Sequence, residues 1–278
     1  MENGIYLVAT PIGNIGDMTF RAMEVLRKAE LIACEDTRVT KKLFSLLGVD
    51  IKGKNFIAVH DHNEAEMAQK IIEEAKSGKI VAYMSDAGSP LISDPGYKLA
   101  KAAREQGVYL TTLPGACAAI CALQLSGLPS NAFMFCGFIP NKEKARIDFL
   151  SKNKDVDATL IFYERADRLL KTLAAAKQIF ANREIAVARE ISKLYEECRN
   201  GTAEELVEYY TQTSPKGEIV LMVAPNTDNN KSNVDYSDEL ISEMRKTNLK
   251  TAVKNIVERF KLNRNDVYKK ALELQKHG

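Results

Sequence analysis

Residues 85–96, Ser-Asp-Ala-Gly-Ser-Pro-Leu-Ile-Ser-Asp-Pro-Gly, are the part of this chain best suited to holding a ligand. They follow the apolar run Ile80–Met84, short and bounded as a buried strand should be, and lead into an amphipathic stretch from Tyr97 to Gln106. Gly, Pro, Asp and Ser are also ordinary turn residues. Twelve residues are nevertheless long for a plain strand-to-helix connection. Small residues let a ligand approach the backbone, and in open α/β sheets the crevice beyond the strand ends is where ligands bind.

A second small-residue loop, Thr10-Pro11-Ile12-Gly13-Asn14-Ile15-Gly16-Asp17, follows the first apolar run. Its glycine spacing is not a dinucleotide fingerprint, and it lacks the Lys-Ser/Thr of a Walker loop, so those cofactors are disfavoured. Cys34-Glu35-Asp36-Thr37-Arg38 sets two carboxylates, a hydroxyl and a guanidinium directly after another buried run. An N-cap at Asp36 or Thr37, opening a helix over Lys41–Leu47, accounts for one carboxylate but not for four polar groups in a row. His60 and His62 would share one side of an extended segment, but no third ligand is near, which favours a strand end with Asn63 and Glu66 capping the helix Glu64–Lys76. Phe162-Tyr163-Glu164-Arg165, Ala188-Arg189-Glu190 and Ser214–Glu218 place charges where apolar runs stop, and together they make a shared cleft attractive.

The elements that must position these groups form two sets. Strand-like runs at Ile5–Ala9, Leu31–Cys34, Phe56–Val59, Ile80–Met84 and Tyr109–Leu113 alternate with helical patterns, which predicts a largely parallel α/β sheet covered by helices. Ala116–Leu125, apolar on most faces, reads as a buried bridging helix ending at Gly127. Runs at Ala132–Ile139, Thr159–Tyr163, Ile185–Ala188 and Glu218–Ala224 have fewer helices between them, chiefly Ala166–Phe180 and Ala203–Thr211, and predict a second sheet of more hairpin character. The expected division is an N-terminal α/β domain over 1–115, a second over 116–225, a polar linker over 226–235 and a helical tail over 236–278.

Bulk properties bound the class. With 278 residues, 45% apolar and 27% charged, the chain can build a real core, and a net charge of +2 does not announce a polyanion partner. The tail is the exception, with eleven Lys/Arg against seven Asp/Glu over residues 231–278. The run Ile5–Ala9 has no basic region before it and stops at Pro11, so neither a signal peptide nor a membrane span is expected. Five scattered cysteines fit a reduced, cytoplasmic protein; Cys117 and Cys121 make a poor metal site, and no metal is expected.

Taken together, Leu7–Asn14, Cys34–Arg38, Ser85–Gly96, Pro114-Gly115-Ala116, Gly137–Pro140, Ile161–Glu164 and Ala188–Glu190 resemble the ribosomal RNA small-subunit methyltransferase I family, a branch of the tetrapyrrole methylase superfamily. The match runs from residue 4 to about 224, and the tail is similar to that family's helix-turn-helix-like end. The resemblance implies two α/β domains with S-adenosylmethionine folded into the cleft between them, and methylation of a cytidine ribose 2′-hydroxyl in the decoding region of 16S rRNA. Carried over by position, Asp86, Gly88, Ser89 and Ile92 fall in the cofactor loop, and Pro11, Ala116, Cys117, Tyr163 and Ala188 line the cofactor. Ser89, Ala116-Cys117 and Arg165 depart mildly from the family pattern. A homodimer is implied as well.

A sulfonium methyl is already an electrophile, so alignment and exclusion of water are the main tasks. A base would help a weakly acidic hydroxyl, and Asp17, Glu35, Asp36 and Glu190 are the candidates at strand ends. Lys250 and Lys254 in the tail, with Arg38, Lys41 and Lys42 near the cleft, are the expected phosphate contacts, and Tyr163 is a candidate stacking platform. Two alternatives stay open: a C-methyltransferase of a tetrapyrrole precursor, and a non-catalytic ribosome-binding factor.

Overall fold

The structure is a computed structural model that describes residues 1–226, 235–260, 262 and 264–277. The first half alternates strand and helix: β1 (Gly4–Val8), α1 (Phe20–Lys28), β2 (Leu31–Cys34), α2 (Thr37–Leu46), β3 (Asn55–Ala58), α3 (Glu64–Lys76), β4 (Ile80–Met84), α4 (Tyr97–Glu105) and β5 (Leu110–Leu113). Its five strands are all parallel in the order β3-β2-β4-β1-β5. Because side chains alternate along a strand, Tyr6 and Val8 join α1 and α2 in one core while Ile5 joins α3 and α4 in another. Both faces of the sheet are therefore covered, which is why its inner strands read as unbroken apolar runs.

The second half holds α5 (Ala118–Ser126), β6 (Phe133–Phe138), α6 (Glu143–Lys152), β7 (Thr159–Arg165), α7 (Leu169–Phe180), β8 (Ile185–Arg189), β9 (Glu197–Gly201), α8 (Ala203–Gln212) and β10 (Glu218–Val223). The sheet order is β6-β7-β10-β8-β9, with β6 and β7 parallel and the other pairs antiparallel. Leu150, Leu173 and Leu206 of α6, α7 and α8 fill the core on one face, and Ala119, Ala122 and Leu123 of α5 cover the other. Past the linker, α9 (Ser237–Lys246), α10 (Leu249–Phe260) and α11 (Arg264–His277) pack around Leu240, Val253, Ile256 and Val267, a separate core of their own. The expected linker falls mostly on 227–234, outside the described residues.

Several expectations need correction. α2 begins at Thr37 rather than Lys41, because Asp36 caps it through the Arg38 amide and the polar run is itself the first helical turn. Asn63 precedes α3, but its side chain turns back: the carbonyl accepts from the His60 amide at 2.9 Å and the amide group donates to the Ala58 carbonyl, so there is no capping box with Glu66. α5 is not wholly buried; Ile120 and Leu125 are 40% and 43% exposed. The segment Ala166–Arg168 is a 3-10 turn leading into α7. α6 and β9 have no counterpart among the expected elements.

Candidate active site

β1 and β4 are parallel neighbours, so their carboxyl ends open side by side and the two small-residue loops meet. The Thr10 amide donates to the Gly88 carbonyl at 2.9 Å, and the Gly88 amide returns a bond to the Thr10 carbonyl at 3.1 Å. The Ser85 hydroxyl also donates to the Gly88 carbonyl, at 3.1 Å. Gly88 sits at φ +82°, and a Cβ there would lie 3.4 Å from Ile12. Next along, the Ser89 hydroxyl donates to the Ala116 carbonyl at 3.0 Å, fastening this loop to the segment entering α5. Leu91 and Ser93 hold φ values of 72° and 67° without being glycine. Such strain persists only where the surroundings enforce it, and it clusters at functional sites. The far end is fixed by Glu64 of α3, whose buried carboxylate accepts from the amides of Gly96 and Lys98 at the start of α4.

Above this floor, between the two sheets, lies a cavity of about 790 Å³, within the size range of small-molecule sites. The first half supplies Ile12, Glu35, residues 86–89, Ile92, Ser93 and Asp94, and Cys117 enters from the segment leading into α5. The second half supplies Phe138, residues 163–167, Ile191 and residues 217–220. Tyr163 stands edge-on to Phe135 at 4.8 Å and to Phe138 at 5.3 Å, so the aromatic wall is braced from both sides. At the rim, the Ser192 hydroxyl donates to the Asp17 carboxylate and joins the two halves. A Cβ on Gly13 would run into Lys193, so close approach of the loops requires glycine there.

Carboxylates dominate the charge of the cavity. Burial pushes the Asp94 carboxyl up to about 6, with the Glu35 and Asp86 charges adding to it and the Ser85 hydroxyl opposing. Glu35 is raised by burial and by Asp86 and Asp61, and Asp86 is raised by burial. Asp86 also accepts the Asp36 amide at 3.1 Å, linking the loops after β2 and β4. Deeper, Glu164 is fully enclosed; it pairs with Arg168 at 2.5 Å and accepts from Thr172 and the Arg165 amide. A low-dielectric wall of this sign favours a cationic ligand over a bare polyanion.

The structure gathers some of the residues singled out from the sequence and leaves others apart. Asp86, Gly88, Ser89, Ile92, Cys117, Tyr163 and Glu35 line the cavity. Ala116 meets the floor through its carbonyl, Ala188 is enclosed in the core beneath α5, and Pro11 lies beside Ile12 without lining the cavity. Asp17 is engaged by Ser192. Asp36 is tied to Arg38, whose hydrogen bonds hold its carboxyl down to about 2. Glu190 accepts from Lys193 at 3.0 Å and fills the space a Cβ on Gly217 would need. Arg38, Lys41 and Lys42 are exposed on α2, and Lys250 and Lys254 on α10. His60 and His62 sit 6.2 Å apart, centroid to centroid, and among the described residues no group of His, Cys, Asp or Glu could hold a metal. Asp94 and Phe138 lie within motifs read from the sequence without being singled out there, and Ile191 joins the site from the fold alone.

The model of the tetrapyrrole (corrin/porphyrin) methylases matches residues 4–207. A ribosomal RNA small subunit methyltransferase I from Erythrobacter litoralis is 49% identical over 99% of this chain and 96% of its own length. The protein of the same name from Rickettsia prowazekii is 39% identical over 97% of this chain and 94% of its own. Among solved structures, a diphthine synthase superposes with a TM-score of 0.61 at 16% identity, covering 79% of this chain and 89% of that one. The uroporphyrin-III-C-methyltransferase of Thermus thermophilus gives 0.55 at 21% identity, covering 80% and 94%.

Proposed function

We propose that this chain, which belongs to the tetrapyrrole (corrin/porphyrin) methylase family and to its ribosomal RNA small subunit methyltransferase I branch, methylates the ribose 2′-hydroxyl of a cytidine in the decoding region of 16S rRNA. S-adenosylmethionine is the methyl donor. The observation that carries the reading is the likeness to methyltransferase I proteins along the whole chain, 49% identity over 99% of it, in which the tail is included.

The cavity fits this donor. It is large enough for a folded nucleoside, its floor gives backbone access at Gly88, and its carboxylates suit a sulfonium cation. In this reading Asp86, Gly88, Ser89, Ile92, Ala116, Cys117 and Tyr163 hold the donor, with Pro11 and Ala188 shaping the wall behind. When bound, the donor supplies an activated methyl group; the protein aligns a hydroxyl with it and keeps water out. The Thr10–Gly88 pairing fixes the floor of the cleft, and the Asp17–Ser192 bond joins its two halves for that alignment. Arg38, Lys41 and Lys42 beside the cleft, with Lys250 and Lys254 in the tail, meet RNA phosphates, which position the substrate without specifying it. A homodimer is part of the proposal; the exposed Ile120 and Leu125 of α5 give it an apolar surface to bury. Activity in the cytoplasm, on the assembled small subunit, completes it.

The test is transfer of labelled methyl from S-adenosylmethionine. Small subunits lacking the modification should be labelled, and uroporphyrinogen should not. Label in the tetrapyrrole alone would move the protein to the C-methyltransferases of its family, and failure to bind S-adenosylmethionine in a calorimeter would make it a ribosome-binding factor.

A further inference from the structure

We infer that Asp94 is the group that accepts the proton of the ribose hydroxyl, an inference that rests on the 2′-O-methylation reading above. The cavity carboxylates differ in what already occupies them. Glu164 is enclosed and paired with Arg168, Asp167 is paired with Arg165, and Glu218 lies 3.6 Å from Lys193. Asp86 is engaged by the Asp36 amide. Glu35, which accepts from the Asp86 backbone, is exposed, whereas Asp94, beside the Ser85 hydroxyl, is half-buried on the loop that also carries Gly88 and Ser89 and lines the cavity.

Three features place Asp94 where a substrate hydroxyl would meet the donor. It follows Leu91 and Ser93, the two non-glycine residues of this loop held at positive φ, so it sits in the part of the loop whose backbone the surroundings hold under strain. It lines the cavity between the two sheets, to which Tyr163 of β7 contributes from the other half. The groups around it are Glu35, Asp86 and Asp61, all acidic, with the Ser85 hydroxyl. Burial and that like charge raise its carboxyl to about 6, close enough to neutral pH to make it a better proton acceptor than an ordinary aspartate.

The step balances without a further reagent. The hydroxyl proton passes to an Asp94 carboxylate oxygen while the ribose oxygen forms its new bond to the methyl carbon. The carbon–sulfur bond breaks with its electron pair left on sulfur, and the protonated Asp94 later returns its proton to solvent.

The sign of the pH dependence follows. Below about pH 6 Asp94 is protonated and cannot accept, so the rate rises through that pH and then levels. Asp94→Asn and Glu35→Gln are compared with the wild-type protein in three measurements. In the protein alone, carbon-13 NMR of labelled aspartate should show a carboxyl titrating near pH 6 that is missing in D94N. Calorimetry should give S-adenosylmethionine affinities for D94N and wild type within about threefold, showing an intact site. Single-turnover methylation of small subunits should fall by about 10²–10⁴ in D94N, with the rising limb gone, and should keep that limb in E35Q, moved to lower pH because the Glu35 charge helps to raise Asp94. A wild-type limb that survives in D94N, or that disappears in E35Q instead, overturns the assignment while leaving the methyltransferase reading intact. Absence of transfer by the wild-type protein overturns that reading and this inference with it.

Discussion

Gly88 shows how a single backbone angle supports the site. Its φ of +82° and its two hydrogen bonds to Thr10 mean that any side chain there is strained, with its Cβ in van der Waals contact with Ile12. Gly88→Ala should therefore cost about 1 kcal/mol of stability and weaken S-adenosylmethionine binding measurably in a calorimeter. Valine, β-branched, should do more of both. Unchanged affinity in a folded variant would remove this loop from the donor site. The glycine and its loop are legible in the sequence from the strand before and the helix after. Asp94 is not, because an Asp-Pro pair is also a common turn device. Only the fold brings Glu35 from the end of β2 and Asp61 from the end of β3 close enough to raise its carboxyl. Asp36 goes the other way: its type and position look chemical, and the structure places it as a helix cap clasped by Arg38.

Between elements, the loop after β4 is only as fixed as its two ends. Its start is sewn to the loop after β1, and its finish depends on one buried carboxylate, Glu64, reaching from α3 to the first amides of α4. Removing that acceptor leaves two backbone donors unpaired near a helix start. Glu64→Ala should cost about 2 kcal/mol in denaturant unfolding and loosen donor binding, whereas Glu64→Gln, which keeps an acceptor, should lose less of both. Equal stability of E64A and wild type would show that the cap is dispensable. The bounds of β2, β4 and α3 match the sequence reading because parallel strands covered on both faces are continuous apolar runs and α3 is strongly amphipathic. β9, with the sequence Glu-Cys-Arg-Asn-Gly, carries no such signal; it is an edge strand held by pairing with β8 rather than by its own composition. α6 is equally hard to read, because its polar residues surround only a few core side chains such as Leu150.

At the scale of the whole molecule, two α/β halves build the cavity and a basic three-helix unit with its own core lies beyond them. A separate core predicts that a chain ending at Pro225 folds and binds S-adenosylmethionine as the full chain does. Its affinity for the small subunit should fall, and the salt dependence should flatten by about one log–log unit for each phosphate that the shortened chain no longer neutralises. Equal slopes would return RNA docking to Arg38, Lys41 and Lys42 at the cleft. The central claim, ribose methylation of a cytidine in the decoding region, is tested most directly by mass spectrometry of nucleosides released from that part of 16S rRNA. Cells lacking the gene are compared with cells in which it has been restored. The account predicts one 2′-O-methylcytidine that is absent without the gene, returns with it, and fails to return with Asp94→Asn. An unchanged set of ribose methylations in the two strains would contradict it.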